Sequence, residues 1–276
     1  MTLSFEIGKR LDHLQVLSRI ARDITLPLFA APKGVENKAG GGDYDPVTKA
    51  DIDAEDALRA EIRKQFPEDS IQGEERPDHI GTNAFSWTLD PVDGTRGFVA
   101  GVPVWSTLIA LSHKSEPVLG MIDLPALNKR YIGHTDKETC RAWLETEACP
   151  DGTYIDLKTS PCAEIRDAIL GCTAPFGMFK AGELAAFKII GAGTRFMRLG
   201  LDALGYGLIA EGRMDIIIEG CMKPCDVRAL IPIIRGAGGE LTNWEGQSAV
   251  DGGRIVAVGD PALLPELYTY LGRALD

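Results

Sequence analysis

Residues 90–98 read DPVDGTRGF, directly after the apolar SWTL of residues 86–89. Asp, Pro and Gly are common turn residues, so the plain reading is a turn that closes a strand. A second reading starts from electrostatics. Asp90 and Asp93 stand at the end of an apolar strand, where two ionised carboxylates packed together repel unless a cation sits between them. Hard divalent cations take oxygen ligands, and magnesium favours a few carboxylates with positions left open for water and a substrate phosphate. In that reading Asp90 can bridge two ions, Asp93 can serve the second, and the Val92 carbonyl can add a ligand. Gly94 and Thr95 can then turn the backbone so that amides and a hydroxyl face a phosphate at the start of a following helix.

Outward from this motif the chain reads as two halves sharing an interface, with a soft boundary near residue 157. Residues 1–157 form an α+β half that holds the metal-binding motifs. Residues 12–30 place apolar side chains at roughly helical spacing, and a Gly-rich loop follows at 38–46. Residues 48–67 read as a second helix, with Thr48 and Asp51 forming a capping-box-like start and Pro67 an end. Strands are expected at 85–90, 104–113 and 117–124, with further short β-like stretches through 131–157, giving two helices against a largely antiparallel sheet. Residues 158–276 alternate as layered α/β packing and complete the site. There, strands are expected at 168–174, 194–200, 214–220 and 254–259. Helices are expected at 182–190, 201–212, from Asp226 through the glycines at 236–239, and at 261–275. The two halves are expected to form a single compact unit.

The 276 residues carry 29 Lys and Arg against 40 Asp and Glu, a formal net charge of −11. That balance disfavours a nucleic-acid backbone or an anionic membrane as partner, and a phosphate ester would need a local cation to offset the acidic field. No signal peptide is evident and no apolar run approaches the roughly 18 residues of a membrane span, so a cytoplasmic protein is expected. The six cysteines include no CxxC pair and read as buried reduced thiols. Cys221 and Cys225 could be soft-metal ligands, but no His-rich partner lies near them. The four histidines fall beside no Ser or Cys in a nucleophile-like motif, and there is no GxxxxGK[ST] loop.

Acidic residues concentrate in four separated places: Asp43, Asp45 and Asp51; Glu74 and Glu75; Asp90 and Asp93; and Asp226. Each group alone is explained by capping or a solvated turn. Taken in order, however, DPVTKAD (45–51), GEE (73–75), DPVDGTRGF (90–98) and CDVRALIPIIRGAGGEL (225–241) resemble the inositol monophosphatase superfamily, magnesium-dependent and lithium-sensitive phosphomonoesterases. The likeness covers nearly the whole chain. DGTRGF running into VAGVPVWSTLIAL (94–111) resembles the histidinol-phosphate phosphatase branch more than the inositol-specific one.

The resemblance implies a layered αβαβα sandwich, commonly a homodimer. It implies that Glu74, Asp90 and the Val92 carbonyl hold one magnesium, that Asp90, Asp93 and Asp226 hold a second, and that a weaker third site lies near Glu74. Manganese is expected to substitute and lithium to inhibit. Thr95 and Asp51, together with Glu74, are implied to orient and deprotonate the attacking water, and Gly94 and Thr95 to hold phosphate oxygens. The aromatic residue that often precedes the last ligand is Cys225 here. Glu219 matches the place of a substrate-contacting acid, and Asp202 falls where inositol-type members tend to carry a small uncharged residue, although a helix start explains Asp202 equally well. Two acids facing the leaving group suit an amino alcohol, since a charge-assisted hydrogen bond to ammonium exceeds one to a neutral hydroxyl. Arg96 and Thr173 are candidate rim contacts. The expected activity is hydrolysis of histidinol phosphate, in histidine biosynthesis. The alternatives are inositol-1-phosphate or another sugar or nucleotide phosphate, or a silent metal- or metabolite-binding relative.

Overall fold

The computed structural model describes residues 2–30, 36–37, 46–47, 49–149 and 153–273. Helix α1 (Leu3–Ala30) is followed by a short antiparallel ribbon, β1 (Glu36–Asn37) with β2 (Pro46–Val47), and by helix α2 (Lys49–Gln65). Helix α1 starts well before residue 12. Its buried face, which includes Ile7, Arg10, Leu14, Leu17, Ala21 and Thr25, keeps helical spacing throughout. Arg10 disguised the first turns as polar, yet it is buried because its guanidinium donates to both oxygens of Asp69, at 2.8 and 2.7 Å. Helix α2 stops at Gln65 because Phe66 precedes Pro67 and is disfavoured from helical dihedrals. Asp43, Asp45, Thr48 and most of the Gly-rich stretch lie outside the described residues.

A seven-stranded sheet follows in chain order: β3 (Ser70–Gly73), β4 (Phe85–Asp93), β5 (Ser106–His113), β6 (Glu116–Leu124), β7 (Lys129–Thr135), β8 (Cys140–Thr146) and β9 (Ile155–Asp156). The β3–β4 pair is parallel and the rest antiparallel; helix α3 (Thr95–Ala100) links β4 to β5. The second half contributes β10 (Ile169–Cys172), α4 (Pro175–Met178), α5 (Ala181–Gly193), β11 (Phe196–Leu199), α6 (Ala203–Ala210), β12 (Ile216–Met222), α7 (Pro224–Val227), α8 (Leu230–Gly236), β13 (Glu240–Asn243), β14 (Gly253–Val258) and α9 (Leu264–Gly272). Its sheet runs β11-β10-β12-β14-β13.

Three apolar clusters define five layers. The α1–α2 pair packs on one face of the large sheet through Leu14, Leu17, Leu58, Trp87 and Leu119. The other face and the small sheet enclose α6 and α8 through Leu108, Ile122, Tyr206, Ile209 and Ile233. Helices α5 and α9 cover the far side of the small sheet through Phe187, Ile190, Ile218 and Leu267. This is the αβαβα sandwich. Among the described residues no helix is long and apolar enough to cross a membrane. All six cysteines are free; Cys172 and Cys225 are buried, whereas Cys140 and Cys221 are exposed, so the expectation of buried thiols holds only for that pair.

Two features of the middle layer position the site. The helix expected from Asp226 onward is two short helices. Arg228 and Ala229 keep helical dihedrals, but Pro232 has no N–H to give the Arg228 carbonyl, and the bonding ladder is interrupted there. The Gly236–Gly239 stretch closes α8 as expected, with Gly238 at φ 101° and the Gly239 N–H returning to the Ile234 carbonyl at 2.9 Å. Secondly, Gly120 and Gly133 are cross-strand partners on β6 and β7. A Cβ on Gly120 would lie 2.0 Å from the Ala229 carbonyl oxygen, and one on Gly133 would lie 2.3 Å from the Ile233 nitrogen. The glycine pair therefore lets the α7–α8 backbone rest directly on the sheet, which fixes the height of Asp226.

Candidate active site

Residues three apart in an unbroken strand point to opposite faces, so Asp90 and Asp93 would diverge if β4 were regular. It is not. Asp90 pairs with Leu108 and Asp93 with Ser106, so one extra residue lies in β4 between those pairs. A bulge of this kind re-aims a side chain, and Pro91, which has no N–H to lose, sits within it. Both carboxylates consequently line one cavity of about 190 Å³, together with Glu74 after β3 and Asp226 on α7.

Oxygens of Asp90, Asp93 and Asp226 lie within 4.8 Å of one another, and so do ligand atoms of Glu74, Asp90 and Cys225. The two groups share Asp90, which is 2 % exposed. Its Oδ1 accepts the Val92 N–H at 3.2 Å, while the Val92 carbonyl accepts the Thr95 hydroxyl at 3.0 Å. Asp93 accepts from the Ser106 hydroxyl at 3.1 Å and the Ala203 N–H at 3.3 Å. Asp226 accepts the Lys223 N–H at 2.7 Å. Lys223 Nζ reaches Glu74 at 2.9 Å.

Burial pushes the Asp90 carboxyl well above its usual range, and repulsion from Glu74, Asp93, Asp226 and Asp51 adds to it. Asp93 is likewise raised by burial and then by Asp202 and Asp226. Burial, with a contribution from Glu74, raises Asp226. Carboxylates gathered in this way do not all ionise at neutral pH without a cation among them. Their all-oxygen donors fit a hard divalent ion.

Gly94 turns the chain from β4 into α3 at φ 78°, a left-handed conformation glycine adopts without strain. A Cβ there would meet the Asp202 carboxyl carbon at 3.1 Å, so Asp202 approaches the turn closely. Asp202 stands at φ 46° before α6, and burial pushes its carboxyl up to about 6, with Arg96 pulling it down. Gly94, Thr95, Thr173 and Asp202 all line the cavity. Asp51, 2 % exposed on α2, lies behind the wall near Asp90, and Arg96 is exposed on α3.

Glu219 differs from expectation. It does not line the cavity; its carboxylate is 2 % exposed and accepts both the Thr173 N–H and the Thr173 hydroxyl at 2.8 Å. Burial pushes it up to about 7 despite those bonds. It holds a wall residue rather than forming the wall.

Two residues were missed by sequence reasoning. Tyr206 lines the cavity one helical turn after Asp202, 2 % exposed, with a hydroxyl that has no hydrogen-bond partner among the described residues. The i, i+4 spacing from Asp202 was the available signal. Cys225, set aside for want of histidine partners, converges on Glu74 and Asp90 instead. A wider cavity of about 710 Å³ lies away from this site, on the β7–β8 side beneath α1, lined by Arg130, His134, Arg141 and Trp143.

The profile of the inositol monophosphatase family matches residues 11–274. The chloroplastic bifunctional phosphatase IMPL2 of Arabidopsis thaliana is 37% identical over 74% of this chain, and the match spans 56% of that longer protein. A histidinol-phosphatase of Mycobacterium tuberculosis is 34% identical over 78% of this chain and 80% of its own length. In three dimensions the chain is similar to an inositol monophosphatase from Zymomonas mobilis, with a TM-score of 0.81 and 35% identity, covering 98% of this chain and all of that one.

Proposed function

The chain belongs to the inositol monophosphatase family and is a phosphatase, and from that premise we propose that it is a magnesium-dependent phosphomonoesterase that hydrolyses L-histidinol phosphate. In this reading Glu74, Asp90 and the Val92 carbonyl hold one ion, and Asp90, Asp93 and Asp226 hold another. A weaker third ion near Glu74 would compete with the Lys223 ammonium. The chemistry such ions supply when bound is polarisation of a phosphate oxygen and activation of water.

The chain's own groups do the rest. Thr95 donates its hydroxyl proton to the Val92 carbonyl, which leaves the oxygen's lone pairs facing the cavity as acceptors that orient water. Asp51 and Glu74 supply nearby carboxylates for its proton. Backbone N–H groups at Gly94 and Thr95, at the start of α3, receive phosphate oxygens.

The observation that carries the substrate reading is Asp202, a carboxylate on the cavity wall beside Gly94 and close enough to Asp93 to raise it. At pH 7 a group titrating at about 6 is mostly ionised, so it presents a charge to an ammonium. Thr173, held in place by Glu219, and Arg96 flank it. The M. tuberculosis relative supports the same substrate.

The test is kcat/KM for histidinol phosphate and for inositol-1-phosphate with magnesium, in the wild type and in Asp202→Asn, which keeps a residue tolerant of positive φ. A hydrogen bond to a charged group is worth about 1.5–3 kcal/mol, so the preference for the aminated ester should fall roughly 10- to 100-fold. No preference in the wild type, or an unchanged ratio in the variant, would favour the second reading, an inositol phosphate substrate. The Z. mobilis structure supports that alternative. A homodimer is supported by the terminal position of β11 in its sheet and by its exposed Phe196, Met197 and Leu199.

A further inference from the structure

We propose that Cys225 is a thiol ligand of the metal centre, and that it gives this chain an affinity for soft and borderline divalent ions, such as cobalt and cadmium, beyond that of an all-oxygen site. The inference rests on the metal-site reading above and concerns the one donor that is not oxygen. Cys225 Sγ and carboxylate oxygens of Glu74 and Asp90 lie within 4.8 Å of one another. Donors bound to one ion at about 2.0–2.3 Å lie within roughly 4.6 Å of each other. These three therefore converge on the volume of a single ion after small side-chain adjustments.

The placement is built into the fold. Cys225 is 9 % exposed in α7, next to Asp226, and α7 leads into the segment that rests on Gly120 and Gly133. Its competing contact is a long one, Sγ to Asp226 Oδ1 at 3.5 Å. The neighbouring thiols are arranged differently. Cys221 Sγ donates to the Met178 carbonyl at 3.3 Å, Cys172 Sγ faces Glu219 at 3.5 Å, and among the described residues neither belongs to a donor group.

Thiolate selects soft ions, whereas carboxylate and carbonyl oxygens suit magnesium. On binding, the thiol proton passes to solvent and a metal–sulfur bond forms. Asp90 belongs to both donor groups. An ion held by Glu74, Asp90 and Cys225 would take Glu74 and Asp90 from the magnesium site they form with the Val92 carbonyl, so such ions should displace magnesium there.

The test uses the full chain, stripped of metal and kept reduced, titrated with cobalt, cadmium or magnesium chloride. Calorimetry reads binding, and absorption reads the sulfur-to-cobalt charge-transfer band. The wild type and Cys221→Ser should show the band; Cys225→Ser, Cys225→Ala and Asp90→Asn should lack it. Cadmium affinity should fall about 10- to 100-fold in the Cys225 variants, the scale set by loss of a group from a metal's ligand environment, while magnesium affinity should hold. A band that persists in both Cys225 variants, or cobalt binding to the wild type without a band, overturns the inference and leaves the metal site standing. Absence of magnesium and cobalt binding in the wild type overturns the metal site itself. Circular dichroism establishes that each variant is folded, and the wild-type and Asp90→Asn spectra decide the matter if neither Cys225 variant folds.

Discussion

Replacing Glu219 by Gln should flatten the pH dependence of stability by a calculable amount. In the folded chain burial holds this carboxyl at about 7, against an ordinary value of 4.5. A raised folded value means that between those two pH values the unfolded chain has released a proton that the folded chain keeps. Stability from this group is therefore fully present below pH 4.5 and is lost as pH rises through 7. The loss is about 1.4 kcal/mol per pKa unit, or about 3 kcal/mol over the whole interval. At 2 % exposure, solvent screening takes little from that figure. Gln does not titrate, and its carbonyl can accept both Thr173 bonds that Glu219 accepts. Asp90, Asp93, Asp202 and Asp226 are common to both proteins, so the difference between them isolates Glu219. Urea unfolding from pH 4 to pH 8 with chelator present should show wild-type stability falling relative to Glu219→Gln by about 3 kcal/mol. In thermal unfolding this is roughly 6–12 °C. Two curves that stay parallel across that range would refute the argument. A wild type that gains on the variant as pH rises would mean that the ionised form is the one the site favours.

Asp93→Asn should cost a few kcal/mol of transition-state stabilisation, roughly 100-fold or more in magnesium-dependent phosphate release. The fold should be unchanged by circular dichroism, because the Asn carbonyl can still accept from Ser106 and Ala203; near-wild-type turnover would remove Asp93 from the ligand set. Gly120→Ala places a Cβ 2.0 Å from the Ala229 carbonyl oxygen, and overpacking of that kind costs about 1–3 kcal/mol. A fall in Tm of roughly 2–4 °C per kcal/mol is expected, together with a loss of kcat/KM, because the segment that lifts off the sheet adjoins Asp226. A variant with wild-type Tm and kinetics would show that the glycine pair does not set that residue's position.

What could be read directly from residue order was the chemistry that stays local. Asp90, Val92, Asp93, Gly94 and Thr95 occupy one turn, so their types and spacing suggested a cation and a phosphate before any partner strand was known, and the five layers came from the family likeness joined to an alternating pattern. What stayed hidden depends on pairing between distant segments. The bulge that turns Asp90 and Asp93 to one side exists only relative to β5. Strands β3 and β13 are four residues each, too short for alternation to register, and owe their conformation to the ladders they join. The first helix was expected only from residue 12, because the burial of Arg10 depends on Asp69, 59 residues away. Glu219 and Cys225 each departed from expectation for the same reason. A carboxylate at a substrate position turned inward to fix Thr173, and a cysteine without histidines found its company in Glu74 and Asp90, carried on separate segments. A residue type fixes what a group can bind, but only the tertiary approach of other segments decides which of its partners is within 4.8 Å. The oxygen donors proposed as ligands could therefore be expected from composition and order, whereas the sulfur donor that lies beside them could not.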